Sequence, residues 1–455
     1  MGECQVCDDI WQMFVAPENA KRAIKLGTFE EALALPCSKH TPILESFKDH
    51  VGSSCSSSST IIGFRNSGHI RERGRSRGPH IVVLCEGLGG PGQFFDMLLV
   101  NKVDAPDHPG IARILNPYWV DMDLLRYWIC QCCGLHASCT TAMNVTPTIP
   151  ALLVDVKRRC VVSGASRSRY VALSYRFGGA AYFRLDGVLF NRLRQESALD
   201  DPDILNSLPL TVRNAIALVE ELGESYLWTD SLCITHEDPG ALAGQLEQMA
   251  AIYSSALFTI VALDGDGSRG ILGLPGISEP RKLTQRVFEF GTDNLIVRSQ
   301  GREAYSEHRE YHKRGWTYQE FLMSARKLVF LGGEAQWMCQ CCQWHEELAP
   351  DVEINTYIDH NRRLLIAGLP DLWSLGQILD AYNQRSLTYD EDAFPAIAGL
   401  ISVLSRTFTG GFLHGLPEMM FDAALGWDVS WDSSALTKRA PSQPVQHDQD
   451  TPTWS

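Results

Sequence analysis

Two short-spaced pairs open the chain, Cys4-x-x-Cys7 and Cys37-x-x-His40. Such pairs suit a tetrahedral structural zinc, because each holds two ligands on one turn. The helix-length segment between them fits a small treble-clef-like or knuckle site. A denser string follows, Cys130-Gln131-Cys132-Cys133-x-x-His136-x-x-Cys139, and its CQCCxxH portion recurs at 339–345. The two strings could each supply half of one metal site, or hold an ion each. Only alternate ligands in either string could face one ion. In the first, Cys132, His136 and Cys139 are the metal candidates. Without a metal, such cysteines serve as small buried apolar groups.

Carboxylates form a second set. Asp230, Ser231, Cys233, His236, Glu237 and Asp238 cluster at the end of an apolar run. A thiolate–imidazole pair from Cys233 and His236 is conceivable there. Asp230 could instead cap a loop, or accept hydrogen bonds from a ribose or an amide. Glu320 ends Gly315-Trp316-Thr317-Tyr318-Gln319-Glu320. Beside Trp316 and Tyr318 its pKa would rise, as glycosidic chemistry requires; the alternative is a charge paired with Arg314 or Arg326. Ser174, Tyr175, Arg176 and Gly178 follow a strand-like run, where backbone NH groups and a guanidinium could meet a phosphate. The run from Gly87 to Gly92 matches GxGxxG. A dinucleotide fold needs a crossover helix next, whereas 94–100 reads equally well as the returning strand of a hairpin. Neither GxxxxGK[ST] nor GxSxG occurs, which excludes a P-loop and the usual hydrolase elbow.

These residues need a scaffold, and the pattern supplies one. Residues 170–175 and 257–263 are short apolar runs, and 226–234 reads as a strand. Within 208–223, Val212, Ala215, Ile216, Val219 and Leu222 share one helical face, and Gly223 suits the C-terminal end. Asp238-Pro239 reads as the start of a helix carrying Leu242, Leu246, Met249, Ala250 and Tyr253. Strands alternating with helices imply parallel βαβ units, with ligands at the C-terminal ends of the strands. Hairpins are expected at 286–298 and 327–339, and helices at 370–383 and 391–407.

Composition narrows the function. The 455 residues carry 40 Lys+Arg and 54 Asp+Glu, so the net charge is 40 − 54 = −14. That balance disfavours general affinity for nucleic acid or anionic membrane. The hydrophobic fraction of 45 % excludes wholesale disorder. No run approaches the ~18 apolar residues of a membrane span, and no secretory signal pattern opens the chain. The expectation is a cytoplasmic, reducing compartment, where the 14 cysteines are mostly thiols or metal ligands.

Three separated blocks carry a resemblance. They are RYVALSYRFGG at 169–179, LPLTVRNAIALVEELGESYLWTDSLCITHED at 208–238 running on to Leu263, and RGWTYQE at 314–320. In order and spacing they resemble the fungal heterokaryon incompatibility (HET) domain family. Trp128-Ile129 with Cys132, His136 and Cys139 is similar to the segment that precedes the domain in many members, and the resemblance covers Cys339 more weakly. Residues 385–389 and 415–427 are similar to their C-terminal continuation. Pro452-Thr453-Trp454-Ser455 resembles a block that is internal in longer relatives, which suggests a truncated gene or a short paralogue. Phe177 stands where the family usually has Trp, and His236 where Gln is common.

The resemblance implies an α/β fold of the TIR-like, flavodoxin-like kind, a parallel sheet with helices on both faces, with flanking α+β extensions. It implies a role in non-self recognition and programmed cell death, acting by assembly through protein partners or self-association. The alternatives are a TIR-like NAD glycohydrolase, with NAD as substrate and Glu320 and Asp230 as catalytic residues beside a ligand-binding Ser174, Tyr175, Arg176 and Gly178, or an inactive zinc-containing paralogue. The expected organisation is a Cys/His subdomain at 1–48 and a flexible Ser/Arg-rich insertion at 49–79. An extension at 80–164, the HET domain at 165–325, a C-terminal extension at 326–440 and a disordered tail at 441–455 follow.

Overall fold

The computed structural model describes residues 4–16, 23–34, 36–52, 55–66, 70–72, 80–86, 94–105, 107–139, 145–165, 169–178, 185, 187–234, 244–299, 310–355 and 368–425. The expected glycine-rich loop at 87–92, the Asp238-Pro239 helix start, His236 and the 441–455 tail lie outside them.

Four parallel strands form the centre: Val171–Tyr175 (β1), Tyr226–Trp228 (β2), Thr259–Ala262 (β3) and Arg326–Leu331 (β4). They lie in the order β2-β1-β3-β4. Every residue of β1, β3 and β4 is buried. Strands covered on both faces need apolar side chains at consecutive positions, which explains why these runs do not alternate. Ile260, Ala262, Leu328 and Phe330 join the main core, while Val261, Leu263, Val329 and Leu331 pack with Tyr311 and Phe321 on the other side.

The helix Leu210–Glu221 (α2, following Met122–Leu135, α1) buries Val212, Ala215, Ile216 and Val219 as the spacing predicts. Gly223 takes φ +83° just beyond it, the left-handed conformation that glycine adopts without strain. Met249–Ser255 (α3) and Gly315–Met323 (α4) complete the helices that bear on the site. The strand expected over 226–234 stops at Trp228, and Asp230–Cys233 is a short helix. Asp230 accepts from the Ser231 N–H at 2.8 Å, and such a side-chain bond favours a helix start over a continuing strand.

The expected parallel sheet is only the middle of a ten-stranded mixed one. Glu334–Cys339 returns antiparallel to β4, through Gly332 and Gly333 at φ +62° and +82°. A two-residue turn with both φ positive makes a hairpin, whereas a parallel neighbour needs a long crossover. Cys342–His345, Val352–Asn355 and Ile70–Glu72 extend that edge. On the other edge, Leu152–Asp155 pairs antiparallel with both β2 and Cys160–Ser163.

A second sheet of six antiparallel strands joins Ala23–Thr28, Thr60–Asn66, His80–Cys85 and Phe94–Leu99 to the hairpin Arg286–Phe290 and Asp293–Ser299. Its pairing crosses the boundaries expected at 48, 79 and 164. The 49–79 stretch is therefore not simply an insertion: Thr60–Asn66 sits between two strands of this sheet, and Cys55 forms a disulfide with Cys85. Phe94–Leu99 is the hairpin strand that one reading of its sequence gave. Helices Gln5–Val15 and Thr41–Val51 cover the sheet with Ile10, Phe14, Ile43 and Phe47. Buried ion pairs tie these parts together, and Arg298 reaches from the six-stranded sheet to Glu347 beside the ten-stranded one. Arg298 contacts Asp96 and Glu347, and Arg281 contacts Glu346.

Candidate functional site

Side chains alternate along β1, which puts Ser174 on the face opposite Leu173 and Tyr175. There its hydroxyl accepts from Tyr311 Oη at 2.5 Å and donates to Glu320 Oε2 at 2.5 Å. Glu320 comes from α4, one turn above Trp316, and is 2 % exposed. The hydroxyl of Tyr253 on α3 donates to the Leu173 carbonyl at 3.0 Å and lies close enough to act on Glu320. Three elements thus converge on one carboxylate.

Burial raises the Glu320 pKa to about 7. Arg314 and the Ser174 and Tyr253 hydroxyls pull it down, and the negative charge of Asp230 pushes it up. The expected cause, Trp316 and Tyr318, is not the operative one. Trp316 Nε1 donates to Asp392 at 3.2 Å and the Tyr318 hydroxyl to the Ile378 carbonyl at 2.9 Å, so both anchor the C-terminal extension. Burial likewise lifts the Tyr311 and Tyr175 phenols far above their ordinary range. All of these hydroxyls are neutral donors or acceptors at physiological pH.

Asp230 is half-buried just past the C-terminal end of β2, close enough to act electrostatically on Glu320, Tyr175 and Tyr253. Two carboxylates in unlike surroundings, one titrating near neutrality, can divide acid and base roles between them. Arg314 bridges the site to its rim. Its Nη1 donates to the Tyr175 carbonyl at 3.2 Å, and its guanidinium lies 4.2 Å from the centre of the Phe177 ring.

This is also the stretch in which the chain can be compared with known proteins. Residues 170–320 match the family described as heterokaryon incompatibility protein (HET). The chain carries a HET domain. No curated protein and no solved structure matches it.

Within the HET domain, Ser174, Tyr175, Asp230 and Glu320 come together. Arg176 turns aside to an ion pair with Glu310 at 3.2 Å. Gly178 takes φ +86° where a Cβ would meet the Asp266 carboxylate at 2.5 Å, so the backbone there is pressed against an acid. Cys233 is buried and its thiol is pushed up to about 12, chiefly by that burial. A buried thiol of that kind is no nucleophile. Phe177 keeps an aromatic role through Arg314 and a 5.1 Å edge contact with Tyr175. Tyr253, Tyr311 and Arg314 complete the site. Tyr253 shows in the sequence as one residue of an apolar helix face within the second block, Arg314 as a possible ion-pair partner opening the third, and Tyr311 gives no signal.

The N-terminal cysteines converge as their spacing predicts. The Sγ, Sγ, Sγ and Nδ1/Nε2 ligand atoms of Cys4, Cys7, Cys37 and His40 all lie within 4.8 Å of one another. Cys7 Sγ is 3.5 Å from Cys37 Sγ and 3.5 Å from His40 Nδ1, and Cys4 Sγ is 3.6 Å from His40 Nδ1. Tetrahedral zinc with its usual bond lengths sets S···S and S···N edges of about 3.8 and 3.6 Å. Burial lowers the His40 pKa, which favours the neutral form that ligates a metal. Cys132, His136 and Cys139 form a second group, with Cys339 as a fourth member.

Proposed function

We propose that this chain works inside the fungal cell in non-self recognition and programmed-cell-death signalling, and that its HET domain acts there on the ribosyl bond of an NAD-class nucleotide. The observation that carries this reading is the Ser174–Glu320 pair, a buried carboxylate titrating near neutrality beside a second acid at the strand ends. The order β2-β1-β3-β4 supports a flavodoxin-like, TIR-like sheet. In such sheets ligands sit at the carboxyl ends, where successive connections leave in opposite directions. Here that point lies between β1 and β3.

The chemistry suits the residues. Nicotinamide leaves a cationic N-glycoside as a neutral base, so no proton has to be delivered to it. As the C1′–N bond breaks, positive charge develops on the ribose. Water then forms the new O–C1′ bond and gives its proton to a carboxylate. Glu320, ionised above about pH 7, supplies that charge and base, and Asp230 accepts from a ribose hydroxyl.

Glu320 is closed from solvent in this state, which favours a second reading. In it, the protein signals by assembly and the buried site is structural. Of the described residues in 170–263, Val188 is the only large apolar side chain that is well exposed. Outside that stretch, Leu369, Trp373, Tyr389 and Phe394 are exposed on the C-terminal extension, and Val103, Tyr118 and Leu135 before the domain. The zinc-containing paralogue remains the outcome if neither activity is found.

The test uses the purified full-length chain with NAD, following nicotinamide release between about pH 6 and 9. Release that rises through neutral pH and disappears in folded Glu320→Gln and Asp230→Asn variants is expected. A folded wild-type chain that releases nothing overturns the hydrolytic reading. Cell death without NAD loss then assigns the protein to assembly.

A further inference from the structure

We propose that Cys132, His136, Cys139 and Cys339 bind one zinc ion that fastens the segment before the HET domain to the strand after it. The repeated CQCCxxH strings leave the fourth ligand open, and the fold supplies it.

The site is assembled from local rules. Asp121 caps α1, accepting from the Leu124 N–H at 3.1 Å. Cys132 and His136 stand four residues apart at the C-terminal end of this helix, so their side chains stack on one face. The His136 N–H bonds to the Cys132 carbonyl, and the Cys139 N–H to the His136 carbonyl in the following 3-10 turn. This turn brings Cys139 back beside the other two. Cys130 and Cys133 fall on the outer face and are exposed, so the density of the string reduces to alternate ligands.

Cys339 ends the strand that pairs with β4, and its Sγ lies 3.4 Å from His136 Nδ1. The ligand atoms of Cys132, His136, Cys139 and Cys339 are mutually within 4.8 Å, and the three cysteines are at most 2 % exposed. None of the three is in a disulfide. Three buried thiols and a half-buried histidine, four soft or borderline donors with no open position, describe a structural zinc rather than a catalytic one.

The surroundings support the ion. A ligating histidine commonly offers its second nitrogen to a carboxylate. His136 Nε2 lies 4.0 Å from Glu353 Oε1, and the ring stacks on Trp344 at 5.4 Å. Zinc with three thiolates is a net anion, and the positive charge of Arg326 acts on Cys132. The neighbouring cysteines touch this group without joining it. Cys341 Sγ lies 2.9 Å from Ser138 Oγ and 3.8 Å from Cys139 Sγ, and Cys342 Sγ lies 3.9 Å from Cys339 Sγ but groups with His136 and Glu353. The ion would join α1, ahead of the HET match, to a strand beyond it, across 339 − 132 = 207 positions.

Cobalt reports the site directly, since tetrahedral cobalt–thiolate absorbs in the visible. The full-length Cys4→Ser/Cys7→Ser chain removes the N-terminal cluster from the measurement. It is expected to take up about one cobalt or zinc ion with a three-thiolate spectrum. Adding Cys339→Ser abolishes this, while adding Cys341→Ser or Cys342→Ser leaves it. If Cys339→Ser does not fold, His136→Cys decides, because a fourth thiolate shifts the cobalt bands only if residue 136 is a ligand. A folded Cys4→Ser/Cys7→Ser chain that takes up no metal overturns the proposal. So does uptake that survives Cys339→Ser or is lost with Cys341→Ser.

Discussion

The Ser174 hydroxyl meets the Glu320 carboxylate at 2.5 Å across 146 positions of chain. This bond joins the first and last blocks of the HET match, one on a central strand and the other on α4. Tyr311 bonds to the same hydroxyl, and no guanidinium forms a direct ion pair with Glu320 among the described contacts. Arg314 acts on it electrostatically while its own Nη1 serves the Tyr175 carbonyl. A carboxylate held by hydroxyls rather than by a cation is one that burial can keep protonated to neutral pH.

That arrangement makes a signed prediction about stability. Glu320 titrates near 4.5 when unfolded and about 7 when folded. Between those values the native chain holds a proton that the unfolded chain has lost. The stability it contributes is full below 4.5 and is lost as pH rises to about 7. The linkage amounts to about 3 kcal/mol. Urea unfolding of wild type and Glu320→Gln across this range checks it. The wild type is expected to lose stability relative to the variant as pH rises, and parallel curves would refute the assignment.

The bidentate Arg281–Glu346 pair, at 2.6 and 2.7 Å with both side chains at most 2 % exposed, makes a second prediction. Arg281 also donates to the carbonyls of Asn116, Trp119 and Gly333. Arg281→Met leaves a buried carboxylate and three carbonyls without that donor, a loss of about 3–5 kcal/mol. Adding Glu346→Leu removes the stranded charge and should restore part of it. A double variant no more stable than the single one would show that the carbonyl contacts dominate.

How far sequence could reach depended on range. The runs at 170–175 and 257–263 and the helix at 208–223 were legible because burial is written into consecutive or helically spaced apolar residues. Hairpins 286–298 and 327–339 were legible from their turns. The cysteine pairs were legible because each pair is local. Long-range partners were not: nothing local in Leu295 points to Leu99, with which it pairs. Cys339 stood out from Cys341 and Cys342 only weakly, through the family resemblance, because nothing in its own string separates the three. Tyr311 carries no periodic signal, and the environment of Glu320 is set by β1 and α3, not by its sequence neighbours.

Metal removal gives a third prediction. The N-terminal ligands link the starts of two helices that cover the six-stranded sheet, with Cys7 in the helix Gln5–Val15 and His40 capping Thr41–Val51. If these ligands hold zinc, binding it is coupled to folding this half. A strong chelator should lower the melting temperature, and added zinc should restore it. Cys7→Ser should reproduce the loss, while His40→Cys, which keeps four soft ligands, should retain metal. Acidification should act like chelation, because protons compete for thiolates and imidazole. A chain whose melting is indifferent to chelator would leave these residues as packed thiols.

The last prediction concerns what can be cut away. An excised HET unit spanning 165–330 carries the hairpin Arg286–Phe290 and Asp293–Ser299 but lacks Phe94–Leu99, to which it pairs. Leu295 and Ile296 are fully buried in the intact chain and Phe290 nearly so, and Arg298 loses both Asp96 and Glu347. Exposed apolar surface and an unpaired strand edge together favour aggregation. This fragment is therefore expected to be insoluble or to associate. A version with 283–300 replaced by a short Gly/Ser linker should be more soluble. Sedimentation of the two fragments beside the full chain decides the matter, and a monomeric, stably folded 165–330 would show that the hairpin does not depend on the N-terminal sheet.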